Sequence, residues 1–249
     1  MGCVPGLWRI LRALVHAVGG WFTIRLVFPR LAQAEREARV QAWAVRMLAI
    51  MGIGLELRGT PPVRGPVLLV ANHLSWLDIV VLHASRYCRF VSKADVKRWP
   101  VIGTLATGAG TLYIERERRR HVMHVVHRMA ESLRDGEVVA VFPEGTTGDG
   151  TGVLPFHANL MQAAISADVA VQPVALSFVE SATGERCGSP LYLGDETLVG
   201  SVWRTLTGPR FFARVSFGEP VKAEARDRRA LAHAVREEVV RLYEERPAG

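Results

Sequence analysis

A histidine and an aspartate stand five residues apart in Asn72-His73-Leu74-Ser75-Trp76-Leu77-Asp78. Imidazole is the side chain that most readily takes up a proton near neutral pH. A carboxylate beside it fixes its tautomer and stabilises the imidazolium that forms. The pair is a candidate general base with its orienter. The same residues carry a second meaning, because Ser75-Trp-Leu-Asp78 ahead of Ile79-Val-Val-Leu82 is a capping-box pattern at a helix start. Local pattern leaves both readings of Asp78 open. Other catalytic signatures are missing: there is no Gly-x-Ser-x-Gly elbow, no His-Glu-x-x-His and no phosphate loop of the Gly-x4-Gly-Lys-Ser/Thr type. The run Gly145-Thr-Thr-Gly148-Asp-Gly150-Thr-Gly152 does not have dinucleotide-binding spacing and reads as a substrate-contacting or flexible loop.

For His73 to act it must be held at an opening. The apolar run Pro66–Ala71 suits a buried strand and leads straight into Asn72-His73, while Trp76 to Ala84 reads as the following helix. Strand-to-helix junctions of α/β sheets face the cleft at the carboxyl ends of the strands. Arg89–Ser92, Gly110–Glu115, Glu137–Phe142, Val169–Leu176 and Phe211–Phe217 read as further strands. Val122, Val125, Val126, Met129 and Leu133 recur at helical spacing between Arg119 and Arg134. Ala158–Ala167 and an amphipathic segment from Lys222 to Glu245 are also expected to be helical. Pro173 cannot donate to a ladder, so a bulge or strand end is expected there. The alternation predicts an α/β fold, a mixed sheet flanked by helices.

The N-terminal part differs in character. Leu7 to Pro29 is apolar but interrupted by Arg9, Arg12, His16 and Arg25, and its longest charge-free stretch, Ala13 to Ile24, has 12 residues against the ~20 of a comfortable span. A second apolar segment, Val40 to Leu57, carries Arg46. With Trp8, Trp21 and Trp43 as interfacial anchors, the two segments predict a membrane-associated helical hairpin over 1–58, lying in one leaflet or giving a single tilted span, the alternative being a pair of helices packed on the core. The turn-like Gly59-Thr-Pro-Pro-Val-Arg-Gly65 separates it from a domain over 59–249.

Composition bounds the function. With 49% hydrophobic and 22% charged residues in 249, the chain is neither disordered nor a multi-span membrane protein. A net charge of +7 suits an anionic partner such as an acidic bilayer surface or a phosphate-bearing substrate. Nucleic acid has only the charge in its favour, without a base-stacking motif. Cys3, Cys88 and Cys187 are too scattered for a disulfide framework or a metal site.

Four ordered blocks settle how the pair is read. Asn72-His73-x-Ser75-x-x-Asp78, Gly110-x-x-Tyr113-Ile114-x-Arg116, Phe142-Pro143-Glu144-Gly145-Thr146 and Val171-Gln172-Pro173-Val174-Ala175 together resemble the glycerolipid acyltransferase family, over about Pro66 to Leu176. The resemblance implies direct transfer of a fatty acyl group from acyl-CoA or acyl carrier protein to the hydroxyl of a lysolipid, 1-acyl-glycerol-3-phosphate or a related lysophospholipid. It makes His73 the base and Asp78 its orienter. Lys93 and Arg116 are assigned to the acceptor's phosphate, and Glu144, Gly145 and Thr146 to substrate contact. No cofactor or metal is implied. The partners are membrane lipids and the acyl donor, at the cytoplasmic face of the membrane. One departure stands out: many lysophosphatidate acyltransferases have Arg after Phe-Pro-Glu-Gly-Thr, and this chain has Thr147. A charge-assisted bond to a phosphate monoester is thereby lost, and the pattern also resembles lyso-ornithine lipid acyltransferases. A hydrolase or a non-catalytic membrane-binding protein are the readings from other classes.

Overall fold

The computed structural model describes residues 3–114, 119–223 and 227–245. Its centre is a seven-stranded sheet in the order β1-β7-β6-β2-β5-β3-β4, comprising β1 (Gly54–Arg58), β2 (Val67–Ala71), β3 (Arg89–Lys93), β4 (Leu112–Ile114), β5 (Val138–Val141), β6 (Val171–Glu180) and β7 (Phe211–Phe217). Only β6 and β7 pair antiparallel; every other neighbouring pair is parallel. The sheet is therefore mixed, as expected. β2 and β5 are buried along their whole length, which is why they read as unbroken apolar runs and not as alternating ones. Helices α3 (Leu77–Ser85), α5 (Arg119–Arg134), α6 (Gln162–Ala167) and α8 (Arg228–Glu244) flank the sheet, and α8 packs against β6. Two further helices, α4 (Ile102–Gly108) and α7 (Leu198–Thr207), had no counterpart in the sequence reading.

Several boundaries differ for identifiable reasons. The apolar segment Val40–Leu57 is not one helix. Helix α2 (Gln33–Met51) stops because Gly52 takes the left-handed conformation, φ 73°, and its N–H closes on the carbonyls of Leu48 and Ala49. Then β1 begins and pairs with β7 over its whole length, so residues on the near side of Gly59 are part of the main sheet. Within that pairing Glu56 lies opposite Arg214, whose Nε and Nη2 donate to its carboxylate at 3.0 and 3.2 Å. The closing helix starts at Arg228 and not at Lys222, because Asp227 caps it by accepting from the amides of Arg229 and Ala230.

Helix α1 (Cys3–Leu26) contacts α2, α4 and α7 on its inner side, where Gly20 meets Trp43 and Leu105 and Gly108 meets Ile24. Its outer side is apolar. Leu7, Trp8, Leu11, Leu14, Val15, Val18, Phe22 and Leu26 recur at three- and four-residue spacing and all are exposed. By length and composition the stretch 6–30 is able to cross a bilayer. Helix α2 behaves differently, burying Ala44, Met47, Leu48 and Met51 in the main core, with Val40 and Ile50 buried outside it.

Pro173 is inside β6, where the strand changes partners. It aligns with Val70 of β2, and the ladder to β7 starts one residue later at Val174–Phe217. Its carbonyl accepts from Gly218 N–H at 2.9 Å, but it has no N–H to return to the Gly218 carbonyl. The neighbouring Gln172 supplies that donor: its Nε2 reaches the carbonyls of Gly218 at 2.9 Å and Thr60 at 3.0 Å. Gln172→Ala leaves both carbonyls short of a donor, so urea unfolding should show a loss of about 1–3 kcal/mol.

Candidate active site

The carboxyl ends of β2, β5, β3 and β4 lie along one edge of the sheet, because these strands are mutually parallel. That edge gathers His73 after β2, Glu144 after β5 and Lys93 at the end of β3. β2 and β5 align Val70 with Val141, and three residues further along each strand direction stand His73 and Glu144. Asn72 fixes the exit from β2. Its Nδ2 donates to the Leu176 carbonyl at 3.0 Å and its Oδ1 accepts from the Leu176 N–H at 2.7 Å, continuing the β2–β6 ladder with a side chain.

His73 Nδ1 lies 2.8 Å from Asp78 Oδ2. The same oxygen accepts from the amides of Leu74 at 2.6 Å and Ser75 at 2.8 Å. Both sequence readings of Asp78 are thus realised by one atom, which closes the helix start and holds the imidazole. A carboxylate facing Nδ1 favours the tautomer with the proton there and the lone pair on Nε2. The His73 side chain retains 21% of its exposure, while Asp78 is buried. Phe142 stacks on the imidazole, with ring centroids 4.1 Å apart and 11° between planes, and Phe90 stacks on Phe142 in turn. Ser75 is fully buried, and its hydroxyl accepts from the Leu77 amide at 3.3 Å at the helix start.

The glycine-rich loop is tied to this centre. Gly148 N–H donates to the His73 carbonyl at 2.7 Å, and Tyr192 N–H donates to the Leu74 carbonyl at 3.0 Å. Thr147 donates its hydroxyl proton to the Tyr192 carbonyl, so this side chain joins two loops. From the closing helix, Arg236 donates to the carbonyls of Val153 and Leu154, and Tyr243 to that of Gly150 at 2.7 Å. Gly145 has φ 72°, which its turn requires, and a Cβ there would meet the His157 ring at 3.2 Å. Thr146 is exposed. Lys93 is exposed and has no ion-pair partner among the described residues. Lys93 aligns with Ile114 of β4. Arg116 lies outside the described residues, as does Glu115, the last residue of the strand expected over Gly110–Glu115.

Glu144 is 6% exposed, and among the described residues neither carboxyl oxygen has a hydrogen-bond partner of ordinary geometry. Burial pushes its carboxyl up to about 7, and the charge of Asp78 adds to this. The amides of His73 and Leu154 and the charge of Arg236 oppose the shift only in part. Tyr192 and Arg236 were not singled out from sequence. They reach the site from far along the chain, and no local pattern marks them.

A histidine held in one orientation at the edge of an α/β sheet, with the nearby serine engaged at a helix start, leaves one ring nitrogen for chemistry at the strand ends. The comparisons with known proteins name a class. The acyltransferase family model matches residues 54–177. The chain is 36% identical over 233 residues to the lyso-ornithine lipid O-acyltransferase of Pseudomonas aeruginosa, covering 92% of this chain and 88% of that one. It is 38% identical over 195 residues to the 1-acyl-sn-glycerol-3-phosphate acyltransferase of Neisseria meningitidis, covering 78% and 76%. The fold matches the crystal structure of the 1-acyl-sn-glycerophosphate (LPA) acyltransferase PlsC from Thermotoga maritima with a TM-score of 0.69 at 20% identity, over 97% of this chain and 98% of that one. The chain belongs to the acyltransferase family.

The raised Glu144 carboxyl makes stability depend on pH. Its proton is held up to about 7 in the folded protein against an ordinary value of 4.5. Stability therefore falls as pH rises through that window, because the unfolded chain gives up the proton first. Chemical denaturation at about pH 4 and pH 8 should show Glu144→Gln gaining up to about 3 kcal/mol on the wild type between the two. Parallel pH profiles for the two proteins would refute the effect.

Proposed function

We propose that this enzyme transfers a fatty acyl group from an acyl-CoA or acyl carrier protein thioester to the free hydroxyl of a lysolipid, with His73 as general base. The observation that carries the reading is the His73–Asp78 contact, which leaves Nε2 as the proton acceptor. Nε2 removes the hydroxyl proton as the oxygen attacks the thioester carbonyl. The tetrahedral intermediate then expels the thiolate, which recovers the proton from His73, giving an ester and a free thiol. A thioester is already activated, so a positioned base suffices without an acyl-enzyme. Asp78 orients the ring and balances the imidazolium. The donor thioester is a substrate, and the chemistry calls for no cofactor.

The acceptor is 1-acyl-glycerol-3-phosphate or a related lysophospholipid. Lys93 has no competing carboxylate among the described residues, and Arg116 follows two residues after Ile114, its alignment partner. Both are suited to a phosphate. Glu144, Gly145 and Thr146 then contact the glycerol end of the acceptor. A lyso-ornithine acceptor is the second reading, favoured by Thr147, which ties two loops together and brings no charge to the phosphate side. The outward apolar face of α1 supports docking at the cytoplasmic face of the membrane, either within one leaflet or as a single span.

His73→Ala should lower kcat by on the order of 10²–10⁴-fold with a preserved cooperative melt, and near-normal turnover would sink the assignment. Asp78→Asn should lose activity on a similar scale, since an amide disturbs the tautomer of His73. Thiol release from acyl-CoA, followed with lysophosphatidate, with lyso-ornithine lipid and with neither, separates the acceptors. Release without any acceptor would instead mark a hydrolase, and none at all a binding protein.

A further inference from the structure

Helices α1 and α2 run antiparallel, with Arg9 against Gly52 and His16 stacked on Trp43. They enclose an open groove of about 490 Å³ that is lined by Trp8, Leu11, Val15 and Ile50 together with Arg12 and Arg46. That volume lies in the range of about 300–1,000 Å³ that small-molecule sites occupy. Neither Arg12 nor Arg46 has a carboxylate or carbonyl partner among the described residues. Several arginines elsewhere in the fold are engaged, Arg89 with Glu137, Arg204 with Glu196, Arg214 with Glu56 and Arg236 with two carbonyls, whereas Arg36 and Arg86 each keep a buried Nε without a partner among the described residues. Helix α1 has no acidic residue at all, and the acids of α2, Glu35 and Glu37, stand at the end remote from Arg46. Nine residues of helix separate Glu37 from Arg46, roughly 13 Å along the axis.

A glycine also borders the groove. Gly19 lines it in the middle of α1, where glycine disfavours a helix, and a Cβ there would meet nothing within 4 Å. An apolar trough with two unmet guanidinium groups complements an amphiphile that has one anionic head: hydrocarbon lies against Leu11, Val15 and Ile50, and a phosphate lies between Arg12 and Arg46.

We propose that this groove holds an anionic phospholipid of the bilayer, which anchors the hairpin beside its outward apolar face. The inference rests on the membrane docking proposed above and adds a headgroup preference to it.

The test is co-sedimentation of the full-length protein with vesicles of phosphatidylcholine alone and of phosphatidylcholine mixed with phosphatidylglycerol. The wild type should bind the mixed vesicles more tightly. The double variant Arg12→Gln with Arg46→Gln should lose that preference, with affinity for mixed vesicles falling on the order of tenfold, and should keep the weaker binding to phosphatidylcholine. A charge-matched control, Arg64→Gln with Arg128→Gln, should retain the preference, as should Arg12→Lys with Arg46→Lys in large part. Gly19→Leu fills the groove without altering charge and should also weaken the preference. Equal loss in the control, or full preference in the double variant with an unchanged thermal midpoint, overturns the groove. Failure of the wild type to bind either vesicle overturns the membrane docking itself.

Discussion

The structure around the site depends on a single buried carboxylate oxygen. Asp78 is excluded from water, and a buried charge must be met by donors. Three converge on its Oδ2: the amides of Leu74 and Ser75 and the imidazole of His73. The two backbone bonds shape the turn between β2 and α3, and the third sets the direction of the ring. Whatever disturbs the helix start therefore disturbs the histidine. This is also why pattern reasoning could not choose between a cap and an orienter for Asp78, since the distinction does not exist at the level of atoms.

Around that oxygen the sheet edge is stiffened from several directions. Asn72 ties the end of β2 to β6, and Gly148 and Tyr192 tie two loops to the backbone on either side of His73. From below, α8 anchors the glycine-rich loop through Arg236 and Tyr243. The loop that read from sequence as substrate-contacting or flexible is held by groups from three separate elements. Glu144 contrasts with this: it is buried beside the pair, without donors of good geometry.

Much of this was legible in the residues. The strand leading to His73, the placement of Glu144 after a buried strand and the α/β class follow from apolar runs and helical spacing, and the structure has them within a residue or two. The parts that were not legible depend on long-range partners. β1 is short, and its neighbour β7 is more than 150 residues away, so its five residues read as the tail of a helix. Helix α7 opens with Val199, Gly200 and Val202, poor helix formers, and stands on a Thr197 cap and on contacts with α1. The apolarity of α1 was plain, but spacing alone does not say which side of a helix faces out. The register of Gln172 against Gly218 was equally invisible, since it is read only when β7 is in place.

The mixed sheet has a consequence for what counts as a unit of this protein. The stretch that the acyltransferase family model matches runs from 54 to 177 and contains β1. Yet β1 has a single strand neighbour, β7, and that strand lies beyond residue 177, wedged between β1 and β6. Cut at the limits of the family-model match, the chain would have an edge strand with nothing to pair with and one side of β6 stripped bare. What the family model spans and what can stand alone as a folded object are here two different lengths of polypeptide.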